Sequence, residues 1–426
     1  MKRTISVILI ICMLLVLASC DSGEELKEDL AHEIPTVQPT PEPQPMPLPP
    51  RESESEQIEP QETEAVFPGK IAIVTNAIDG GPEEEFRSAE AIMNKFGREK
   101  VIIRTWPVYF AQEPEMMVDI LTEIALDPYV GAIIINRALI NTNAAIDAVR
   151  TIRGDDIFIA VAFTAEDTRE VYAKVNLSLN INYSGMGAWF VEQASKMGVE
   201  TIAHYSFPRH MSHPMLAERR DNMAVAAELA GIRFVDLLSP DPMEEGGMPA
   251  SQLFIFEDVG RQVERLGVNT AFFSNSCGQN ITLLQQVLAY GAMYIQPCCP
   301  SPFHIFPAIF AIADELELSC NFNVGEIIEV TREIIAAAGM EGRTSNWALS
   351  SQTAFTHVGF MYAVEWLNGR VSQEFGVIDE DVLLRLFGDY AEEALGERLY
   401  PQMSQVQADS ETFSTMFEFL MPFVVF

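Results

Sequence analysis

Short apolar segments alternate with longer amphipathic segments through most of this sequence, and this alternation is the feature that most constrains the fold. The apolar segments are, in chain order, KIAIVTN, VIIRTWP, GAIIINR, IFIAVAF, VNLSLNIN, TIAHYSF, FVDLLSP, TAFFSN and AMYIQP. The segments between them, such as PEEEFRSAEAIMNKFG, carry apolar residues at helical spacing and end in glycine, which is typical of helices. Buried strands that alternate with helices form parallel sheets covered on both faces, so the sequence predicts an α/β fold.

The strand segments fit two sheets better than one. A helical segment ends at Gly198, and a new series of strand, helix and strand begins directly after it. We therefore predict two similarly built lobes, each a parallel sheet flanked by helices, over residues 67–198 and 199–320. Residues 321–426 have mostly helical patterns, and we expect this segment to pack across the two lobes.

The first twenty residues, MKRTISVILIICMLLVLASC, have the pattern of an export signal: a basic start, an apolar run and small residues before a cleavage point. The apolar run is about 16 residues, short of the ~20 that a spanning helix needs. Leu-Ala-Ser-Cys resembles the lipobox of bacterial lipoproteins, which implies a signal peptide over residues 1–19 and a lipid on Cys20. The alternative is an ordinary secretory signal with an incidental cysteine. Either reading places the protein outside the cytoplasm, and the lipobox places it on the outer face of the cytoplasmic membrane or in the periplasm.

Residues 20–66 are predicted to be a disordered stalk. From residue 21 this segment holds thirteen Asp and Glu against two basic residues and includes the proline-rich run PTVQPTPEPQPMPLPP, a composition that cannot form a core. The whole chain has a net charge of −34, and residues 67–426, with 48 acidic and 23 basic residues, keep −25 of it. A field of this sign repels nucleic acid and anionic lipid headgroups, so we expect no nucleic-acid partner.

Polar or aromatic residues follow nearly every predicted strand. In parallel sheets, ligands bind beyond the carboxyl ends of the strands, so these residues are candidates for ligand contact in one cleft between the lobes. A helix cap or a turn is the alternative for each residue taken singly. The candidates are Asn76, Asp79, Trp106, Tyr109, Asn136, Arg137, Thr164, Arg209, His210, Asp241, Asn275, Ser276 and Gln296.

This architecture on a lipoprotein resembles the type I periplasmic binding proteins, the solute receptors of ABC importers. More narrowly, HYSFPRHMSHPMLAERRDNM, FEDVGRQVERLG, TAFFSNSCGQ and QPCCPSPFHIFPAIF are similar to segments of an uncharacterised family of bacterial lipoproteins, a domain of unknown function with that fold. The resemblance covers the chain from about residue 67 to its end. It implies a fold more than an activity.

The resemblance also implies an arginine in the cleft. Sugar receptors of the type I class begin a second-lobe helix with an arginine that binds the ligand, followed three positions later by a small residue. In AERRDNM, Arg219 and Asn222 have this spacing, with asparagine where glycine is usual, so Arg219 and Arg220 both stay candidates. A guanidinium offers five fixed donors for hydroxyls, carboxylates or phosphates. The alternative is an arginine paired with Glu218 or Asp221 on a solvated helix.

Four cysteines lie in the predicted lobes. Cys277 follows the strand TAFFSN, Cys298 and Cys299 follow the strand AMYIQP, and His304 is close enough in sequence to join them; Cys320 is more distant. If the two strands are neighbours, three thiols meet at the cleft. Packed free thiols, a disulfide and a metal site are all open readings, although the spacing matches no standard zinc pattern.

The sequence has none of the common enzyme signatures. It contains no G-x-S-x-G, phosphate-loop or H-E-x-x-H motif, and SGMGAWF has Phe190 in place of the third glycine of a dinucleotide fingerprint. We therefore expect no cofactor and no catalytic residue. The leading expectation is a lipid-anchored receptor that closes on a small polar molecule and serves an ABC permease or a sensor. An extracytoplasmic enzyme on the same scaffold and a non-catalytic interaction lipoprotein are the alternatives.

Overall fold

The computed structural model describes residues 67–78, 83–310, 323–408 and 411–426. The predicted signal peptide, Cys20, the predicted stalk, Asp79 and Cys320 lie outside these residues. The strands are β1 Lys70–Thr75, β2 Val101–Thr105, β3 Val130–Asn136, β4 Phe158–Ala162, β5 Leu177–Ile181, β6 Thr201–Ser206, β7 Arg233–Leu238, β8 Thr270–Ser274, β9 Met293–Tyr294, β10 Ser345–Trp347, β11 Gln402–Ala408, β12 Glu411–Leu420 and β13 Phe423–Val425.

Helices connect most of the strands. In chain order they are α1 Glu84–Phe96, α2 Pro114–Leu126, α3 Thr142–Arg153, α4 Thr168–Tyr172, α5 Met186–Lys196, α6 Pro208–Met211, α7 Pro214–Leu229, α8 Gly247–Leu266, α9 Cys277–Tyr290, α10 Phe306–Ile309, α11 Val324–Ala337, α12 Ser351–Leu367 and α13 Glu380–Leu395. None of the helices in the described part of the chain is long and apolar enough to span a membrane.

The strands form two main sheets. The first sheet has the order β11-β12-β5-β4-β3-β1-β2, and the second has the order β7-β6-β8-β9. All neighbours in both sheets are parallel except β11 and β12, and β10 pairs with β13 in a small antiparallel sheet. Each of the nine predicted apolar segments contains one strand, so the predicted α/β fold with parallel sheets flanked by helices is confirmed.

Both faces of the first sheet are covered, which explains why its strands are apolar at consecutive positions. Along β1, Ile71 and Ile73 face a core that includes residues of α1 and α12, whereas Ala72 and Val74 face a core with α2 and α3. All four side chains are fully buried. Burying an isoleucine contributes roughly 1.5–3 kcal/mol, so side chains on both faces stabilise the sheet.

The segment 321–426, predicted as mostly helical, is helical only in part. Helices α11 to α13 lie within residues 324–395, with the short strand β10 between α11 and α12. Strands β11 to β13 follow them, and the helical prediction was wrong there. In β12 the buried Phe413, Phe417 and Phe419 lie two or four positions apart. The spacing of two places Phe417 and Phe419 on one face of the strand, whereas Phe413 lies in the core on the other face, past an irregularity in the pairing with β11. The strand pairs in parallel with β5.

Helix α12 is buried on nearly all sides, as expected for a helix that is apolar all round. It lies on β3 and β4 and contacts α1 and α13. Its N-cap, Ser350, accepts a hydrogen bond from the Thr353 N–H at 3.3 Å. The first turn of this helix is thereby fixed at the carboxyl edge of the first sheet.

The second glycine of SGMGAWF, Gly187, has a structural explanation. A Cβ at this position would lie 2.1 Å from the Arg219 carbonyl oxygen and 2.8 Å from the Met223 nitrogen. Helix α5 therefore packs backbone to backbone against α7, and only glycine allows that approach. The contact fixes the position of Arg219 on α7.

Candidate functional site

A pocket of about 520 Å³ lies at the carboxyl edge of the first sheet. Its walls are the segments that follow β1 to β5, the first turns of α1 and α12, and the loop that follows β9 of the second sheet. The lining residues are Asn76, Ala77, Glu83, Glu84, Glu85, Phe86, Pro107, Val108, Phe110, Arg137, Leu139, Phe163, Tyr183, Cys299, Pro300, His304, Ser351 and Gln352. The pocket is thus formed by both sheets, at the edge where parallel strands present ligand sites.

Glu84, in the first turn of α1, is a buried carboxyl group in this wall. Both of its oxygens accept hydrogen bonds of 2.9 Å from the Ser301 hydroxyl, and Oε2 accepts a further one from the Ser350 hydroxyl. Burial raises the pKa of Glu84 from 4.5 to about 7, because the two serine hydrogen bonds only partly offset the loss of solvation. Near neutral pH this side chain therefore exchanges between a neutral acid and a carboxylate.

Glu85 and Arg137 form an ion pair beside Glu84. The distance from Arg137 Nε to Glu85 Oε1 is 2.6 Å, and the guanidinium lies 5.4 Å from the centroid of the Phe163 ring. Glu85 is buried, whereas the Arg137 side chain is 38% exposed. The guanidinium is therefore held in place and still accessible from the pocket.

The backbone around the pocket is strained at several positions. Glu83, Arg137 and Phe163 line the pocket and have φ values of +51°, +87° and +53°, in the left-handed region that non-glycine residues rarely adopt. Ile305, next to His304, has φ of +74°. Such conformations cost about 1–3 kcal/mol each and cluster at functional sites, where the surrounding structure holds them.

Trp106 and Asn136 lie beneath the pocket wall. The Trp106 ring is 1% exposed, and its indole N–H donates to the Arg137 carbonyl at 2.9 Å. Asn136 donates from Nδ2 to the Gln352 carbonyl at 2.7 Å and to the Thr356 hydroxyl. Both side chains hold the residues that line the pocket, and neither is itself part of the lining.

Aromatic side chains form much of the remaining lining. Phe86, Phe110, Phe163 and Tyr183 are half-buried and border the pocket. Burial raises the pKa of Tyr183 to about 12, so its phenol is neutral and can donate a hydrogen bond at neutral pH. The pocket thus combines apolar ring faces with a small number of charged and hydrogen-bonding groups.

At the second sheet, Arg219 and Arg220 have different surroundings. Arg219 is buried, donates from Nη2 to Asn275 Oδ1 at 2.6 Å and lies over the Phe273 ring. Arg220 is partly exposed and pairs with Asp221 at 2.6 Å and with Asp236 at 2.9 Å. Only Arg219 therefore points into the interior. Arg220 forms ion pairs on the solvated side of the helix, which was the alternative considered for this pair of arginines.

A chain of buried polar groups connects Arg219 to the second sheet. Asn275 Nδ2 lies 3.1 Å from His204 Nε2, and His204 Nδ1 lies 2.9 Å from Asp236 Oδ1. Burial lowers the pKa of His204. A neutral ring that accepts from Asn275 and donates to Asp236 satisfies both contacts.

The remaining predicted residues lie apart from the pocket lining. Arg209 forms a bidentate pair with Asp241 at 2.7 and 2.8 Å, and the ring of His210 packs against that of Phe207, with 4.0 Å between the centroids. Tyr109 is 67% exposed. The Thr164 N–H donates to Asn180 Oδ1, and its hydroxyl lies close to that of Ser178. Ser276 is buried directly before α9, and Gln296 is fully buried near Ser345. Their contact with a ligand stays a prediction, as does that of Asn76 and Arg137, which do line the pocket.

The cysteines come together as the strand order requires, because β8 and β9 are neighbours. The Cys277 sulfur lies 3.4 Å from those of Cys298 and Cys299, and the latter two are 3.8 Å apart. The two partner thiols lower the pKa of Cys277 well below its usual range and have their own pKa values raised. Cys299 and His304 also line the pocket, and all three cysteines are free thiols.

Sequence reasoning missed the acidic and amide side of the pocket. Glu84, Glu85 and Gln352 lie in the first turns of helices, and acidic residues there are normally explained by the helix dipole. Tyr183 follows the last strand of the predicted first lobe and was not chosen. The available signal was the position of EEEF directly after the segment that follows β1, at the edge where ligands bind.

Comparisons with known proteins identify relatives of this chain. A family model described as "Protein of unknown function (DUF3798)" matches residues 69–345. An uncharacterized protein of Treponema pallidum (strain Nichols) is 27% identical over 173 residues, which are 40% of this chain and 79% of that protein.

Solved structures also match. A crystal structure from Clostridium difficile 630, described as a transcriptional regulator, aligns with a TM-score of 0.74 at 18% identity and covers 85% of this chain and all of the other. A sugar ABC transporter protein from Actinomyces odontolyticus ATCC 17982 aligns with a TM-score of 0.47 at 10% identity, over 72% and 86% of the two chains. The first of these similarities shows the fold, and the fold alone.

Proposed function

The chain belongs to the family described as protein of unknown function (DUF3798), whose model matches residues 69–345, and on that premise we propose that it is a solute receptor. In this proposal a small polar molecule binds in the pocket at the carboxyl edge of the first sheet. The loop that follows β9 of the second sheet then closes over it. The observation that carries the proposal is the pocket itself, whose lining comes from both sheets.

The size and lining of the pocket support a small ligand. Pockets for small molecules are typically about 300–1,000 Å³, lined mainly by apolar and aromatic groups with a few placed polar groups. At about 520 Å³, this pocket has four aromatic side chains and the Glu85–Arg137 pair in its wall. A molecule with a flat or apolar face and several hydroxyl, amide or amine groups would satisfy both features.

The charge of the pocket narrows the class of ligand. Glu85 already neutralises Arg137, and Glu84 adds a group that is half ionised near pH 7. The site is therefore neutral to acidic, which favours an uncharged or cationic solute over an anion. The net charge of −34 likewise argues against the nucleic-acid partner that the description of the Clostridium protein would suggest.

The location of the receptor rests on the sequence. We propose that the chain is exported, that Cys20 carries a lipid, and that the receptor is held outside the cytoplasm by this anchor. An ABC permease or a membrane sensor would then receive the loaded receptor. Metabolic labelling with a lipid precursor, compared between the wild type and Cys20→Ala, tests the anchor independently of solute binding.

Native mass spectrometry of the protein purified from its own host tests the receptor proposal. We expect one small molecule per chain, released on denaturation. If the molecule is uncharged, Arg137→Gln should weaken its rebinding by at least about tenfold, because a charged hydrogen bond contributes roughly 1.5–3 kcal/mol. Arg370→Gln is the matched control, since this arginine pairs with Glu365 and does not line the pocket.

Two results would contradict the receptor proposal. Turnover of the bound molecule would indicate the alternative of an extracytoplasmic enzyme. A protein that carries no small molecule, and whose melting temperature no solute raises, would leave the non-catalytic interaction lipoprotein as the better reading.

A further inference from the structure

The three thiols at the end of the second sheet form a compact cluster, which the receptor proposal does not use. Cys277 is the first residue of α9, directly after β8, and Cys298 and Cys299 follow β9. Because β8 and β9 are parallel neighbours, their carboxyl ends lie at the same edge of the sheet. The strand order therefore brings together sulfurs that are 21 residues or more apart in sequence.

The spacing of the three sulfurs matches that of ligands around one metal ion. Three thiolates in a tetrahedral zinc site, each about 2.3 Å from the metal, would be about 3.8 Å from one another. The observed distances between sulfurs are 3.4, 3.4 and 3.8 Å. A disulfide would use two of the sulfurs and leave the third without a role, whereas one cation would use all three.

The buried positive charge of Arg219 favours an anionic complex at the three thiols. Its guanidinium is buried, its Nε–H has no hydrogen-bond partner among the described residues, and its Nη2 donates to the uncharged amide of Asn275. Its positive charge acts on all three thiols. Three thiolates with one divalent cation carry a net charge of −1, which would balance the buried guanidinium.

The cluster offers three protein ligands and no more. Within the described residues, no further histidine, cysteine or carboxylate joins these three at ligand distance. Cys277 is exposed, and Cys299 borders the pocket. A metal held here would keep a fourth position for water or another small ligand, an arrangement found in zinc sites that are not purely structural.

We propose that Cys277, Cys298 and Cys299 bind one thiophilic divalent cation, for which Zn²⁺ fits the donor set and the sulfur spacing best. Binding forms three metal–sulfur bonds, and any protons that the thiols carried pass to solvent, with no change in oxidation state. This site shares Cys299 with the lining of the proposed solute pocket, and its occupancy does not require a solute.

Titration of the reduced full chain with Co²⁺, in the absence of oxygen, tests the site. We expect a thiolate-to-cobalt charge-transfer band that saturates at one Co²⁺ per chain and disappears when Zn²⁺ is added. Cys277→Ser should weaken Co²⁺ binding by more than about 100-fold, since even outer-shell changes cost roughly 10- to 100-fold. Ser276→Ala, at the preceding position, is the matched control and should leave binding unchanged.

A second measurement avoids any dependence on how the variant folds. Alkylation of the wild-type chain, mapped peptide by peptide, should show that Zn²⁺ slows modification of Cys277, Cys298 and Cys299 together. Absence of the charge-transfer band at stoichiometric Co²⁺, unequal protection of the three cysteines, or a disulfide among them in protein taken from its host would overturn the proposal.

Discussion

Replacing Glu84 with glutamine should stabilise the protein at pH 8 and leave its stability nearly unchanged at pH 4.5. In the folded protein the pKa of Glu84 is about 7, because burial disfavours the carboxylate, whereas its ordinary value is 4.5. Between pH 4.5 and about pH 7, Glu84 holds a proton in the folded chain that it has lost in the unfolded chain. The stability from this group is therefore fully present below pH 4.5 and is lost as the pH rises through 7.

The magnitude follows from the difference between the two pKa values. One pKa unit corresponds to 1.36 kcal/mol, so a rise from 4.5 to about 7 corresponds to about 3 kcal/mol at pH 8. Glutamine has nearly the same shape, stays neutral at every pH and offers an oxygen to the hydroxyls of Ser301 and Ser350. The substitution should therefore remove most of the decrease in the free energy of unfolding that the wild type shows above pH 7.

Urea unfolding at pH 4.5, 6 and 8 would measure this effect as the difference in the free energy of unfolding between variant and wild type. The difference is the right quantity because other groups titrate in the same range and act equally on both proteins. Glu90→Gln, on the same helix and paired with Arg87 at the surface, is the control and should show no such trend. A difference for Glu84→Gln that is constant across the three pH values would refute the reasoning.

Three further substitutions test other parts of the structure. Gly187→Ala should destabilise the protein by about 1–3 kcal/mol in urea unfolding, because the methyl group meets backbone atoms 2.1 Å away; Gly260→Ala, whose methyl meets only a half-exposed tyrosine ring, should cost less. Trp106→Phe should lower the free energy of unfolding by roughly 1–3 kcal/mol, because the Arg137 carbonyl loses its hydrogen-bond donor. Equal stability of this variant and the wild type would contradict this. His357→Gln should raise the melting temperature relative to wild type at pH 4.5 but not at pH 7.5. Burial lowers the pKa of His357 to about 4, so the wild type loses stability as the pH falls below 6.5; a difference independent of pH would exclude this cause.

The α/β class could be predicted because local pattern and tertiary environment agree along β1 to β9. A strand covered on both faces is apolar at consecutive positions, as in Ala132 to Ile135, and that signal survives without knowledge of its neighbours. The strands β11 and β12 were missed because their pattern is weaker. In QMSQVQA the apolar residues are few, and the segment is a strand because β12 offers it a partner.

The candidate site was predictable where it depends on strand ends and not where it depends on helix starts. Asn76 and Arg137 follow strands and line the pocket. Glu84 is an acidic residue in the first turn of a helix, as many surface residues are, and only the packing of Ser301 and Ser350 against it buries the carboxyl group. Sequence alone holds no record of that burial.

The choice between the two adjacent arginines illustrates the same limit. Arg219 and Arg220 are chemically identical and are consecutive on one helix, so no composition or spacing argument separates them. The close approach of α5 at Gly187 fixes the rotation of α7. That rotation directs Arg219 inward to Asn275 and leaves Arg220 with Asp236 at the surface.

The pairing of β12 with β5 also determines when the first sheet can be completed during synthesis. The β5 strand ends at Ile181, and its partner begins at Glu411. At about 5–20 residues per second, a ribosome needs roughly 10–50 s to make the chain between them. During that time the β5 edge has no strand to pair with and can pair with another chain. Delayed folding, by a chaperone or by passage through the membrane as an unfolded chain, would protect this edge until its partner arrives.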